Sequence, residues 1–169
     1  PFRVIEEDGA PYGGKDFVLW NPPMIDIAAG SRRSTNGDAA LLMEELLRRK
    51  VRTLAFVRSR RMAEFLYVLV RDKLRDSSPD VASRLSPYRA SYLPEDRRRI
   101  ERDFFEGRLL GLTTTNALEL GIDIGDLDAT ILTGYPGSVA STWQQAGRSG
   151  RGANGSLSVL VAKDNPLDQ

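Results

Sequence analysis

Short apolar runs and amphipathic helical segments alternate along most of the chain, joined by short connections. The apolar runs are nearly continuous, as expected for parallel strands that are buried on both faces. They lie at Thr53–Val57, Leu109–Thr113, Ala129–Leu132 and Leu157–Val161, with a shorter one at Tyr88–Ala90. Apolar residues at helical spacing fall between them, over 36–50, 60–75, 94–105 and 138–146. Because strand and helix alternate with short links, the sequence predicts an α/β fold: a parallel β-sheet with helices on both faces.

The first 30 residues differ from this pattern. Two β-type runs, Phe2–Ile5 and Phe17–Trp20, flank a stretch rich in glycine and acidic residues. This arrangement predicts an N-terminal β-hairpin. We therefore divide the chain into residues 1–30, a hairpin or linker from a preceding region, and residues 31–169, the α/β domain. Because the chain starts at Pro1 rather than at a methionine, we expect it to be a fragment of a longer protein.

Residue types that are absent exclude several kinds of site. The 169 residues contain no cysteine and no histidine, which excludes disulfides, Ser-His-Asp triads and Cys/His zinc sites, and we expect no metal site in this chain. No apolar run is long enough to span a bilayer. The lack of cysteine fits a reducing compartment, so we expect a cytoplasmic protein without a membrane partner. The net charge is only +1, so phosphate binding would have to depend on local groups.

A stretch near the N-terminus imitates a phosphate-binding P-loop. Gly9, Gly14 and Lys15 have the required spacing, but Asp16 occupies the place of the Ser or Thr that would bind magnesium. A strand follows instead of a helix, so no helix N-terminus would face the phosphates. No acidic cluster follows an apolar strand in the manner of a Walker-B site. We therefore expect this chain by itself to lack the parts that hydrolyse a nucleotide.

The most specific motif is the segment Gln144–Gly152. Arg148 and Arg151 are three residues apart and can lie on one side of a helical turn. Glycines such as Gly147 and Gly150 allow the backbone to bend sharply and approach another surface. Such an arginine pair can reach the charged oxygens of a transferring phosphoryl group. The alternative is an ordinary helix C-terminus with glycine caps and arginines that favour the macrodipole.

A second polar segment, 113–125, begins where a predicted strand ends. Open α/β sheets bind ligands at this edge. The hydroxyl of Thr115 and the amide of Asn116 can hold a nucleic-acid phosphate. Gly121 permits an unusual backbone angle, and Asp123 can accept a hydrogen bond from a ribose hydroxyl. The alternative is a strand-to-loop connection with a capping aspartate.

Two further strand ends carry basic residues. Arg58 and Ser59 open the helix after the first apolar run, and a helix N-terminus with nearby arginines favours phosphate. Arg89 lies within the short predicted strand Tyr88–Ala90, at a strand end next to small residues, and is a candidate for a contact with the nucleic-acid backbone. A solvated loop is the alternative for the first of these strand ends. The arginines of the next helix alternate with acids at helical spacing, so they indicate a solvated face rather than a binding patch.

Taken together, the order and spacing of these segments resemble the second RecA-like domain of superfamily-two helicases, over about residues 30 to 164. Leu54–Ser59 resembles motif IV, Thr114–Asp123 motif V and Gln144–Arg151 the Q-x-x-G-R-x-G-R of motif VI. Tyr88–Arg97 resembles the segment between motifs IV and V. Details within motifs V and VI are most similar to the MrfA/YprA-type bacterial DNA-repair helicases, relatives of the eukaryotic Hrq-type enzymes. The resemblance implies a RecA-like sheet and ATP-dependent motor activity.

The resemblance also implies roles for residues of motifs V and VI. Arg151 would be the arginine finger on the γ-phosphate of ATP bound by another domain, and Arg148 would support it. Gln144 would couple the nucleotide state to domain closure. Asp123 would contact the ATP ribose or the closed interface, and Gly121 would shape that loop.

For DNA, the resemblance implies that Thr115 and Ser59, with Arg58, hold the backbone. The partners would be single-stranded or partly duplex DNA and the N-terminal RecA-like domain of the same protein. Motif VI begins with Gln144 rather than the His of RNA DEAD-box enzymes, which favours DNA while leaving RNA open. ATP and Mg²⁺ would be bound by the first domain, and we expect the fragment to be monomeric and to bind neither stably.

Two other functions compete with this interpretation. A degenerate RecA-like domain could serve only as a nucleic-acid-binding or scaffold module, although a scaffold has no need of the arginine pair. A P-loop kinase built on residues 9–16 is the third alternative, and the departures described above argue against it.

Overall fold

The computed structural model describes residues 13–26, 28, 30–119, 125, 127–150 and 155–163. Its strands are β1 (Lys15–Trp20), β2 (Met24–Asp26), β3 (Ser31–Arg32), β4 (Thr53–Phe56), β5 (Leu85–Tyr88), β6 (Gly111–Thr114), β7 (Ala129–Thr133) and β8 (Ser156–Val161). Its α-helices are α1 (Thr35–Arg48), α2 (Arg60–Arg75), α3 (Pro79–Ala82), α4 (Pro94–Phe105) and α5 (Val139–Ala146), and a 3₁₀ turn spans Asn116–Leu118.

Six of these strands form one sheet in the order β1-β8-β7-β4-β6-β5. All neighbouring strands in it are parallel. The residues of β4, β6 and β7 are buried throughout, because helices cover both faces of the sheet. The predicted parallel sheet with helices on both faces is therefore confirmed.

Two apolar clusters hold the layers together. On one face α1 and α2 pack over Ala55, Ile131 and Val159. On the other face α4 packs over the second cluster, where Phe104 and Leu112 are fully buried. Each such large side chain contributes about 1.5–3 kcal/mol through its burial. Helix α5 lies on the same face of the sheet as α4, next to β7 and β8.

Serine side chains cap three of the helices. The hydroxyls of Ser34, Ser59 and Ser138 each accept a hydrogen bond from a backbone amide in the first turn, which satisfies one of the unpaired donors there. Pro94 is the first residue of α4, as predicted, where its missing N–H costs nothing. Within the described ranges, no helix is long and apolar enough to cross a membrane.

The N-terminal region combines an expected feature with an unexpected one. A small antiparallel pair is present and is formed by β2 and β3. The run Phe17–Trp20, predicted as one arm of a hairpin, lies in β1 and pairs in parallel with β8, the last strand among the described residues. This pairing spans nearly the whole sequence, so local patterns could not reveal it. The other predicted arm, Phe2–Ile5, lies outside the described residues, and the division of domains at residue 30 stays a prediction.

Two local predictions are wrong. The strand predicted over Tyr88–Ala90 occupies Leu85–Tyr88, so Arg89 follows it. Pro87 can enter this strand because β5 is at the sheet edge, where a missing amide breaks no ladder. The turn-forming residues 76–80 predict an exposed loop, but the loop ends at Ser78, because α3 begins at Pro79 and buries Val81 and Ala82 against the core.

Tyr88 links β5 to α4 through a buried phenol. Its ring is 1% exposed, and its hydroxyl donates a hydrogen bond of 2.5 Å to a carboxylate oxygen of Glu101. Burial raises the pKa of Tyr88 above its ordinary value, and the bond to Glu101 raises it further. The phenolate is therefore disfavoured in the folded protein.

This shift predicts a loss of stability at high pH. Because the folded pKa lies above the unfolded one, the contribution of Tyr88 is complete below about pH 10 and declines above it. We expect the urea concentration at the midpoint of unfolding to be lower at about pH 11 than at about pH 8. Tyr88→Phe should make this difference smaller. The reduction will be partial, because burial also raises the pKa of Tyr92. Tyr135→Phe is the matched control, and an equal fall in the Tyr88→Phe variant and the wild type would contradict the prediction.

Candidate nucleotide and nucleic-acid interface

The predicted functional segments meet at the carboxyl edge of the parallel sheet. The connections that follow β4, β6 and β7 border one groove with a volume of about 510 Å³. Arg58 lines it from the first connection, Asn116 and Glu119 from the second, and Gln145 from α5. The structure therefore brings three of the segments singled out in the sequence to one surface.

Arg58 and Ser59 occupy the first connection. The guanidinium Nη2 of Arg58 donates to the carbonyl of Tyr135 at 2.9 Å and stays exposed. The hydroxyl of Ser59 accepts from the amide of Met62 at 3.3 Å, so it caps α2. Both residues lie at a helix N-terminus, where a phosphate is favoured.

The second connection begins with a single 3₁₀ turn. Thr115 is half-buried at its start, and Asn116 is exposed. Asn116 borders the groove, which leaves its amide side chain in a position to meet a ligand at the sheet edge.

Arg89 lies apart from the groove. Its guanidinium pairs with the carboxylate of Glu64, which also accepts from the hydroxyl of Tyr92 at 3.2 Å. The same guanidinium lies 5.5 Å from the centre of the Tyr92 ring. The structure thus places the charge of Arg89 against an acid and an aromatic ring of its own domain.

The arginine motif continues from α5. Gln144 is exposed on this helix, whereas Arg148 is only 5% exposed. Arg148 donates from Nε at 3.0 Å and from Nη2 at 2.5 Å to the backbone carbonyl of Glu119. The two arginines of the motif therefore differ in setting: Arg148 bonds to the second connection, and Arg151 lies outside the described residues, as do Gly121 and Asp123.

Two glycines shape the backbone around Arg148. A Cβ on Gly147 would lie 2.7 Å from the carbonyl oxygen of Trp143. Gly150 has φ +75°, and a Cβ there would lie 2.3 Å from Oγ of Ser156. Both positions therefore require glycine for close packing, and Gly150 also requires it for its left-handed backbone.

Lys15 forms a hydrogen bond with the C-terminal end of α5. Its Nζ donates to the carbonyl of Ala146, the last residue of α5, at 2.6 Å. Lys15 begins a strand, so the lysine of the apparent P-loop is placed at the end of α5 rather than in a phosphate-binding loop.

Glu119 is the residue that the sequence reasoning missed. Its carboxylate accepts from the hydroxyl of Ser141 at 2.5 Å and from Nε2 of Gln145 at 3.0 Å. A signal was present, since Glu119 is the only charged residue between Thr113 and Gly121. Within the described part of the chain, no group of three or more metal-ligating side chains comes together.

Comparison with known proteins shows the family of this domain. Residues 38–153 match the helicase conserved C-terminal domain family. This chain belongs to that family. The match covers the strands and helices from α1 to α5, including all three connections that border the groove.

Individual helicases match this C-terminal domain over its whole length. It is 45% identical to YprA, an uncharacterized ATP-dependent helicase of Bacillus subtilis, over 100% of this chain and 22% of YprA. It is 43% identical to the ATP-dependent helicase HRQ1 of Saccharomyces cerevisiae, over 98% of this chain and 16% of HRQ1. The crystal structure of the DUF1998 helicase MrfA bound to DNA and AMPPNP superposes with a TM-score of 0.90 at 44% identity, covering 100% of this chain and 23% of MrfA.

These matches confirm the RecA-like fold and the resemblance to the MrfA/YprA and Hrq-type helicases. The chain spans about a fifth of the length of the relatives it matches. The roles of individual residues in this helicase C-terminal domain stay predictions.

Proposed function

We propose that this chain is the C-terminal motor domain of an ATP-dependent DNA helicase. The observation that carries the proposal is the junction of the connection after β6 with α5, where Arg148 and Glu119 join two helicase motifs at the carboxyl edge of the sheet. MrfA binds DNA and AMPPNP in its crystal structure, and both ligands are proposed here for the longer protein.

The residues present suit one side of an ATP site. Gly150 has φ +75°, a backbone conformation that side chains other than glycine rarely adopt, and the next residue in the sequence is Arg151, the proposed finger. ATP supplies free energy through transfer of its γ-phosphate to water. Arg151 would stabilise the charge of that phosphate, Arg148 would hold the adjoining connection, and Gln144 would face the partner domain. Gly121, Asp123 and Gly147 complete the proposed interface.

Mg²⁺ and the phosphate-binding loop are assigned to the N-terminal RecA-like domain of the longer protein. On this proposal the chain alone hydrolyses no ATP. Closure of the two domains on ATP would shift their contacts along a DNA strand, and hydrolysis would reopen them. DNA repair and a cytoplasmic location are part of the same proposal.

DNA would be held at the groove by Arg58, Ser59, Thr115 and Asn116. The exposed guanidinium of Arg58 and the N-terminus of α2 offer donors to a phosphate. Arg89 is proposed as a further contact, which would require DNA to replace Glu64 as its partner.

The proposal is tested with the full helicase that contains this chain. We expect ATP hydrolysis to rise when single-stranded DNA is added. If the helicase binds DNA but DNA does not stimulate ATP hydrolysis, the proposed motor is wrong and a non-catalytic binding module is the better interpretation.

Arg58→Ala tests the DNA-binding surface. Losing one phosphate contact is expected to weaken binding to all DNA sequences alike and to lower the salt dependence by about one unit. Fluorescence anisotropy over a salt series measures both. Arg99→Ala is the control, because Arg99 is exposed on α4 and pairs with Asp96. An unchanged salt slope in Arg58→Ala would remove Arg58 from the interface.

A further inference from the structure

One residue, Glu119, receives hydrogen bonds from three side chains of the α5 segment. Ser141 and Gln145 bond its carboxylate. Arg148 bonds its backbone carbonyl through two nitrogen atoms of its guanidinium. All three donors come from α5 or the turn that follows it, whereas Glu119 belongs to the connection after β6.

The spacing of the three donor side chains explains why all of them reach the same residue, Glu119. Ser141 and Gln145 are four residues apart on α5, so their side chains lie on the same face of the helix. Arg148 follows within one further turn. A carboxylate accepts such hydrogen bonds more strongly than a neutral group does, so the connection and the helix are held as one unit.

The ends of this unit lead to different ligands of the proposed motor. Thr115 and Asn116 lie at the DNA end, a few residues before Glu119. Gly150 lies at the other end, two residues after Arg148, and the next residue in the sequence is the proposed finger Arg151. Among the described residues, the hydrogen bonds to Glu119 connect the segment after β6 directly to α5 and the turn after it.

We propose that Glu119 is a positioning residue that couples DNA binding at the connection after β6 to the placement of the arginine motif. The inference rests on the proposed function. Displacement of the connection by DNA would be transmitted to α5 through the carboxylate and would move the backbone that carries Arg151. Glu119 borders the groove, but its carboxylate is engaged by Ser141 and Gln145, so in this mechanism it acts on α5 rather than on a ligand.

The test compares Glu119→Ala and Glu119→Gln in the full helicase. For Glu119→Ala we expect the stimulation of kcat by DNA to fall about tenfold. This is the size of a typical coupling between two sites, where one ligand changes the affinity for the other about 5- to 150-fold. The Kd for DNA and the KM for ATP should change little. Glu119→Gln keeps the side-chain shape and one carbonyl acceptor, so it should retain part of the stimulation. Glu45→Gln is the control, since Glu45 pairs with Arg49 on the far helix α1.

Hydrogen exchange supplies a second measurement that does not depend on ATP hydrolysis. We expect DNA to slow amide exchange within residues 139–148 of the wild type. In Glu119→Ala we expect much weaker protection, because Ser141 and Gln145 lose their acceptor while Arg148 keeps its bonds to the backbone carbonyl. A wild type that binds DNA without hydrolysing ATP would refute the proposed motor, while the exchange comparison would still test the coupling. Full protection of α5 in Glu119→Ala, or full DNA stimulation of kcat, would overturn the inference.

Discussion

Replacing Arg151 with alanine is expected to abolish DNA-stimulated ATP hydrolysis by the full helicase while DNA binding persists. Arginine fingers contribute about 10³–10⁵-fold to turnover where they have been measured. The guanidinium acts on charge that develops during phosphoryl transfer, so its removal should lower kcat far more than it raises the KM for ATP. A coupled assay of ADP release with saturating single-stranded DNA measures the effect, and anisotropy measures DNA binding.

Two variants make this prediction specific. Arg151→Lys keeps the positive charge but loses the planar fork, so it should recover only a small part of the activity. Arg99→Ala removes an exposed arginine from α4 and should behave as the wild type. Normal ATP hydrolysis by Arg151→Ala would show that the motif VI assignment is wrong.

Gly150→Ala is expected to have the second-largest effect, because two physical obstacles coincide there. The backbone has φ +75°, and the new methyl would lie 2.3 Å from Oγ and 3.1 Å from Cβ of Ser156. Left-handed backbone at a non-glycine residue costs about 1–3 kcal/mol. The hydroxyl of Ser156 can rotate away, but the buried strand β8 fixes its Cβ, which stays 3.1 Å from the new methyl. We therefore expect the strained turn at position 150 to shift, and with it the segment that leads to Arg151. A misplacement of about 1 Å in a catalytic group costs about 10²-fold in rate.

The controls separate backbone strain from displacement. Gly107 has a similar φ of +72°, but a Cβ there meets nothing within 4 Å. Gly107→Ala should therefore lower the thermal midpoint and leave kcat near the wild-type value. Adding Ser156→Ala to Gly150→Ala removes the nearest clashing atom and should restore part of the rate. Equal kcat values for the two glycine variants would contradict the argument.

The order of the elements followed from local patterns. Nearly continuous apolar runs predicted the buried parallel strands β4, β6, β7 and β8, since a strand covered on both faces has no polar side. The helical segments predicted over 94–105 and 138–146 match α4 and α5, because the start of a helix depends on residues within one turn. The arginine motif was visible because its residues are close together in the chain.

Contacts between distant residues followed no such pattern. The strand β1 joined β8 instead of forming the predicted hairpin arm, and the carboxylate of Glu64 met Arg89. The buried position of Arg148 depends on its hydrogen bonds to the backbone carbonyl of Glu119. Every residue has such a carbonyl, so no residue type in the sequence could predict this contact.

The sequence by itself thus determined the fold class, the family and the candidate segments, because these depend on residue types at short spacing. Only the tertiary structure decided which segments touch. It placed the connection after β6 against α5 and made Glu119 the acceptor of three side chains. The physical reason is that a parallel sheet collects the carboxyl ends of strands that are far apart in sequence at one edge.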